Sequence, residues 1–254
     1  MELAGILFLC AAAFLAGLVD AVVGGGGLIQ IPALFSVVPG ASPATLFGTN
    51  KLSAIFGTAS AAWRYARRID IPWTAVLPLA ASALASSYLG AMTVTLLPKA
   101  WLRPLMLTLL VVMTAYTFVK KDLGIGDRYC RRGLREFLLA LFFGGLIGFY
   151  DGFFGPGTGS FLIFMFVRFF GLDFLRASAS AKIVNVGTNL SALAFFGFHA
   201  DVMIATGLAM AVFNVAGAVT GSHLALRHGA GMVRGVFLLA SCALILKFSW
   251  DTFR

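Results

Sequence analysis

Asp20-Ala21-Val22-Val23-Gly24-Gly25-Gly26-Gly27 sets an acid four residues ahead of four consecutive glycines, inside a segment that is otherwise apolar. The pattern returns once. A gapless shift of 131 carries Gly17, Asp20, Gly24, Gly26 and Lys51 onto Gly148, Asp151, Gly155, Gly157 and Lys182. The same shift matches Asp70 with Asp201, Gly90 with Gly221 and Arg103 with Arg234. In so apolar a chain, matched apolar residues say little. Matched Asp and Lys in register with the glycine breaks say more, and they predict two copies of one unit.

Sixty per cent of the 254 residues are hydrophobic and 11% are charged, with a mean hydropathy of +0.94. A soluble domain carries about 25% charged residues. The chain therefore reads as an all-α polytopic membrane protein with the lipid bilayer as its solvent. Met1-Glu2-Leu3 offers no basic residue ahead of the first apolar run, so that run is expected to be retained rather than cleaved. Cys10, Cys130 and Cys242 fall at no metal-ligand or redox spacing and read as small apolar fillers. The formal charge of +9 sits in short loops between apolar runs, which is membrane orientation and not a nucleic-acid surface.

Runs able to cross ~30 Å of hydrocarbon, which takes about 20 residues, fall at 44–63, 72–97, 101–119, 175–197, 201–226 and 232–250. Two further segments, 3–37 and 136–170, are too long for one crossing, and each is interrupted by its glycines. They are either kinked spans or helical hairpins. This gives about eight membrane segments in two four-segment repeats, 1–119 and 137–254, joined by a basic linker at 120–136 that should be cytoplasmic. Loop charge separates the two readings. With hairpins, the cytoplasmic loops hold 13 Lys and Arg against 4 outside; with single crossings the split is 11 against 6. Loop 64–70 is basic whereas its counterpart 195–201 is not, as expected if the halves face opposite sides. The repeats are therefore expected to be inverted, with both termini outside the cytoplasm.

The loops account for 17 of the 19 Lys and Arg, leaving Lys51 and Lys182 inside apolar spans together with Asp20 and Asp151. A charge at the bilayer centre costs about 2.5–3.5 kcal/mol even on a lenient scale, so matched sets of Asp and Lys ask for a partner or a task. Structural ion pairing is the plain reading, but polar neighbours surround both lysines. Asn50 stands beside Lys51, and Lys182, Asn185 and Asn189 share one helical face. The glycines supply the rest of a candidate site. Gly24, Gly25, Gly26 and Gly27, and Gly155 and Gly157, free backbone N–H groups that are tolerated at membrane depth only beside protein or a polar cavity. Helices restarting near Leu28 and Ser160 present N-termini to an anion, and Thr158 and Ser160 are expected to add hydroxyl donors. Asp20 and Asp151 are then resting counter-ions of the lysines, or proton acceptors that release the anion.

Leu18-Val19-Asp20 through Ile31-Pro32-Ala33-Leu34, the Ala44-Thr-Leu-Phe-Gly-Thr-Asn-Lys51 stretch and Gly148-Phe-Tyr-Asp-Gly-Phe-Phe-Gly-Pro-Gly-Thr-Gly-Ser160 resemble the TauE/SafE sulfite exporter family, in particular its YfcA-like branch. The resemblance spans nearly the whole chain. It implies an inner-membrane permease of two repeated halves that moves sulfite, sulfoacetate or related organosulfur anions. It also implies that the glycine breaks, Asn50-Lys51 and Lys182 form the permeation region. No Gly-x-x-x-x-Gly-Lys-Ser/Thr is present, so neither nucleotide nor another cofactor is expected. His199, His223 and His228 lack the spacing of a metal site, and no nucleophile or metalloprotease motif suggests an enzyme. The rival reading is a proton- or cation-coupled carrier of another small solute, with Asp20 and Asp151 as ion ligands.

Overall fold

The computed structural model describes residues 2–96 and 133–228, together with Thr108 and Val111. Apart from those two residues, the expected span 101–119 lies outside the described residues, as do the span 232–250 and most of the linker 120–136. Every element among the described residues is helical: α1 (Leu3–Val23), α2 (Gly27–Val37), α3 (Pro43–Ala66), α4 (Trp73–Val94), α5 (Leu134–Phe153), α6 (Thr158–Met165), α7 (Phe174–His199) and α8 (Ile204–His228). A short π-helical turn, Phe166–Phe170, continues α6.

Local chemistry sets several of the boundaries. α3 starts where Ser42 accepts the Thr45 N–H, with Pro43 in the first turn where its missing donor costs nothing. α7 starts where the Asp173 carboxylate accepts the Leu175 and Arg176 N–H groups. α1 stops at Gly24, whose φ of +77° turns the chain and whose N–H closes onto the Asp20 carbonyl.

Both glycine-broken segments reverse direction. A Cβ placed on Gly26 would lie 2.8 Å from the Ala16 carbonyl oxygen, and one on Gly5 would lie 2.9 Å from Val37, so α2 runs back along α1. In the other segment the Tyr150 hydroxyl donates to the Pro156 carbonyl at 2.6 Å, the Tyr150 and Phe161 rings meet at 5.3 Å, and Phe143 meets Phe169 at 4.5 Å. α5 and α6 thus form a second hairpin.

Four helices, α1, α4, α5 and α8, are long and apolar enough to cross a membrane. They turn large side chains outward, among them Leu7, Leu89, Phe142 and Val212. α3 and α7, with 24 and 26 residues, are also long enough but fall short of the apolarity of spans, which corrects the reading of 44–63 and 175–197 as plain apolar runs. The reason is their position. They occupy the middle of the bundle, where buried Thr49, Asn50, Lys51, Ser180, Lys182 and Asn189 face protein instead of lipid.

The outer helices pack in parallel pairs at glycine distance. Gly17 lies against Asn214 and Gly221 against Leu18 between α1 and α8; Gly144, Gly148 and Gly152 lie against Leu79, Ala83 and Ser87 between α5 and α4. Small residues every fourth position let the backbones touch, as in membrane helix pairs generally. The Asp70 carbonyl accepts from Arg176 and Glu136 accepts from Thr74, while Arg64 donates to Ser222. The end of α3, the starts of α4, α5 and α7, and the end of α8 therefore share one face of the bundle. It follows that α1, α3 and α8 run one way and α4, α5 and α7 the other.

Candidate functional site

The two hairpin tips meet at the centre. A Cβ on Gly24 would lie 2.2 Å from Gly159, and one on Gly27 would lie 3.2 Å from Pro156. The Ser160 hydroxyl donates to the Val23 carbonyl, tying the second tip to the first. Each tip carries its acid in the last turn of the entering helix, Asp20 in α1 and Asp151 in α5.

Each acid is met by the lysine of the other half. Lys182 Nζ donates to Asp20 Oδ2 at 2.9 Å, and Lys51 Nζ donates to Asp151 Oδ2 at 2.6 Å. Lys51 also donates to Asn189 Oδ1 at 3.0 Å, and Thr58 donates to Asp20 Oδ2 at 3.3 Å. The pairs are not equally sealed. The Lys51 and Asp151 side chains are 5% and 3% exposed and Lys182 is fully buried, but Asp20 is 16% exposed. A buried pair of this kind is costly to break, because removing either partner strands the other charge in low dielectric.

A cavity of about 30 Å³ opens between the pairs. It has room for one or two waters. Of the residues expected from sequence, Gly24, Gly26, Gly27, Asn50, Lys51, Gly155, Asn185 and Asn189 line it, together with Asp20 and Asp151. Gly25, Gly157, Thr158, Ser160 and Lys182 do not line it. Lys182 reaches the site only through Asp20. The hydroxyls of Thr158 and Ser160 donate to the Gly155 and Val23 carbonyls, so the expected pair of hydroxyl donors instead closes the hairpin tips. The N–H groups of Gly25 and Gly26 have no partner among the described residues, while the Gly26 carbonyl accepts from Ile29 and Gln30 to start α2.

Sequence reasoning missed Gln30, Ala54, Thr58, Gly159 and Asn214, which complete the lining. Gln30 and Asn214 break the internal register, since a shift of 131 sets Gln30 against Phe161 and Asn214 against Ala83. One sign was available: Gln30 is a lone amide between Ile29 and Ile31 in an apolar helix.

Glycine-tipped hairpins, lipid-facing outer helices and buried charge pairs around a polar cavity define a polytopic helical membrane protein with a charged centre. The sequence matches the family model described as "Sulfite exporter TauE/SafE" over residues 9–248. A Sinorhizobium sp protein named "Probable membrane transporter protein ORF9" is 38% identical over 246 residues, covering 97% of this chain and 93% of its own length. Escherichia coli K12 "Probable membrane transporter protein YfcA" is 36% identical over 250 residues, with 98% and 91% covered. A Haemophilus influenzae "Probable membrane transporter protein" is 31% identical over 251 residues, with 99% and 96% covered. No solved structure matches. The chain belongs to the TauE/SafE sulfite exporter family, a family of membrane transporters.

Proposed function

We propose that this protein is a secondary permease of the cell inner membrane that moves small anions, with sulfite, sulfonates and related organosulfur anions as the substrate class, by alternating access of two inverted repeats. The observation that carries the reading is the exchange of ion partners, Lys182 with Asp20 and Lys51 with Asp151, where the two glycine breaks meet. An anion that engages a lysine competes with a carboxylate of the opposite half. Binding therefore loosens the contact between the halves, which is what a rocking mechanism around a central site requires. Inversion is supported by the opposite directions of α1 and α5, by both breaks being hairpins, and by equivalent contacts recurring at the 131 shift, such as Gly17 on Asn214 and Gly148 on Ala83.

The anion reading is favoured over a cation-coupled carrier by the donors around the cavity: Lys51, and the Gly26 N–H and Gln30 Nε2, which have no partner among the described residues. Purified protein should be stabilised against heat by sulfite, sulfoacetate or taurine, and not by a panel of monovalent and divalent cations. Lys51→Ala should abolish that shift while Asp20→Asn weakens it. Stabilisation by cations alone, or the reverse order of the two variants, would overturn the reading.

A further inference from the structure

We infer that Gln30 is a substrate-binding residue whose side-chain N–H groups donate to an oxygen of a compact oxyanion; the inference rests on the anion reading and deepens it. Asn214 lies 3.1 Å from the Ala13 carbonyl oxygen and 3.2 Å from the Gln30 amide. A backbone carbonyl only accepts, so the Asn214 atom facing it is Nδ2. The Gln30 atom facing that same Nδ2 must in turn accept, and is Oε1. The orientation of the Gln30 amide is thus fixed by a carbonyl two bonds away, not by choice of flip.

What remains is Gln30 Nε2, which has no partner among the described residues although the residue is 1% exposed and lines the cavity. A buried amide donor without an acceptor is costly, and the cost is removed by a ligand that offers an oxygen. The cradle around Asn214 is tight: a Cβ on Gly57 would lie 1.8 Å from Asn214 Oδ1, so the amide pair is held without slack. The remaining lining is acidic, basic, amide, hydroxyl or glycine, with Ala54 as its sole apolar side chain. Such a wall has nothing to cover a hydrocarbon tail. An anion that is all head, with several oxygens around one centre, suits donors supplied by two elements, Gln30 from α2 and Lys51 from α3.

The test measures sulfite and sulfoacetate affinity by titration calorimetry on the full-length purified protein, with Gln30→Met and Gln30→Glu, each checked for a thermal midpoint close to that of the unaltered protein. Gln30→Met keeps the length and removes the donor; Gln30→Glu keeps the acceptor for Asn214 and replaces the donor with an oxygen. Sulfite affinity should fall about tenfold or more in the first and further in the second. An unchanged affinity in a folded Gln30→Met or Gln30→Glu protein overturns the role of Gln30 and leaves the anion reading standing. Tighter binding of sulfoacetate than of sulfite overturns the compact-oxyanion part. If the unaltered protein binds neither anion, both this inference and the anion reading fall.

Discussion

Asp151 shows why the partner of each charge matters more than the count of charges. Its side chain is 3% exposed and its Oδ2 lies 2.6 Å from Lys51, so Lys51→Ala leaves a carboxylate stranded in the bundle. Removing one member of a buried pair costs about 3–5 kcal/mol, whereas replacing both by apolar residues is often neutral. Lys51→Ala should therefore lower the unfolding midpoint in detergent sharply, and Lys51→Met with Asp151→Leu should recover most of it. A task beyond cohesion appears only in transport. If an anion displaces the lysine, Asp151 loses its partner, and we propose that it then couples transport to protons. Flux through Asp151→Asn should then ignore a proton gradient, measured in proteoliposomes. Unchanged pH dependence in a folded Asp20→Asn, Asp151→Asn protein would leave the pairs as structural. The rarity of Asp and Lys in apolar spans made all four residues legible in the sequence. Their crossed partnership was not, because register relates equivalent positions and says nothing of which half each side chain reaches. Gln30 and Asn214 escaped for the complementary reason: their counterparts are Phe161 and Ala83, so the repeat hid them.

At the level of elements, the glycine runs located both breaks to within a residue or two, since α1 ends at Val23 and α6 begins at Thr158. The length of each segment could not say whether the chain kinked or turned back. That is decided by packing, with Gly26 on Ala16 and Tyr150 on Pro156. Polarity of α3 and α7 was visible residue by residue, yet their central position is a property of the assembled bundle. The tip contact gives a graded prediction. Gly24→Ala and Gly159→Ala each put a methyl into backbone 2.4 Å away or less, and overpacking costs about 1–3 kcal/mol. Gly24 also has φ +77°, where a side chain adds about 1–2 kcal/mol. Gly197 has open space where a Cβ would go, so Gly197→Ala should be neutral or slightly stabilising. Thermal unfolding should rank Gly24→Ala below Gly159→Ala, with Gly197→Ala at or above the unaltered protein. Equal midpoints for the three would mean that the tips do not touch.

For the molecule as a whole, charge and helix direction speak to the same question by separate routes. Among the described residues the arginines are Arg64, Arg67, Arg68, Arg135, Arg168, Arg176 and Arg227. All belong to the end where α3 and α8 finish and α4, α5 and α7 begin, tied by Arg64 to Ser222 and Arg176 to Asp70. The opposite end, with the start of α1 and the turns before α3 and α8, has no Lys or Arg among the described residues. Cytoplasmic loops carry the basic excess, so the arginine end should face the cytoplasm. In a background without Cys10, Cys130 and Cys242, Gly40→Cys should react with a membrane-impermeant maleimide added outside intact cells, and Arg67→Cys should not. Both positions are exposed, so access to the reagent and not burial decides the outcome. The same orientation expects a reporter fused after Arg254 to be exported and one inserted near residue 127 to stay inside. A cytoplasmic reporter at the C-terminus with an external Gly40 would mean an odd number of crossings between them, which antiparallel halves of four segments each do not permit. Such a result would remove the inverted repeat, and with it the reason for expecting the crossed pairs Lys51 with Asp151 and Lys182 with Asp20 to open alternately to the two sides.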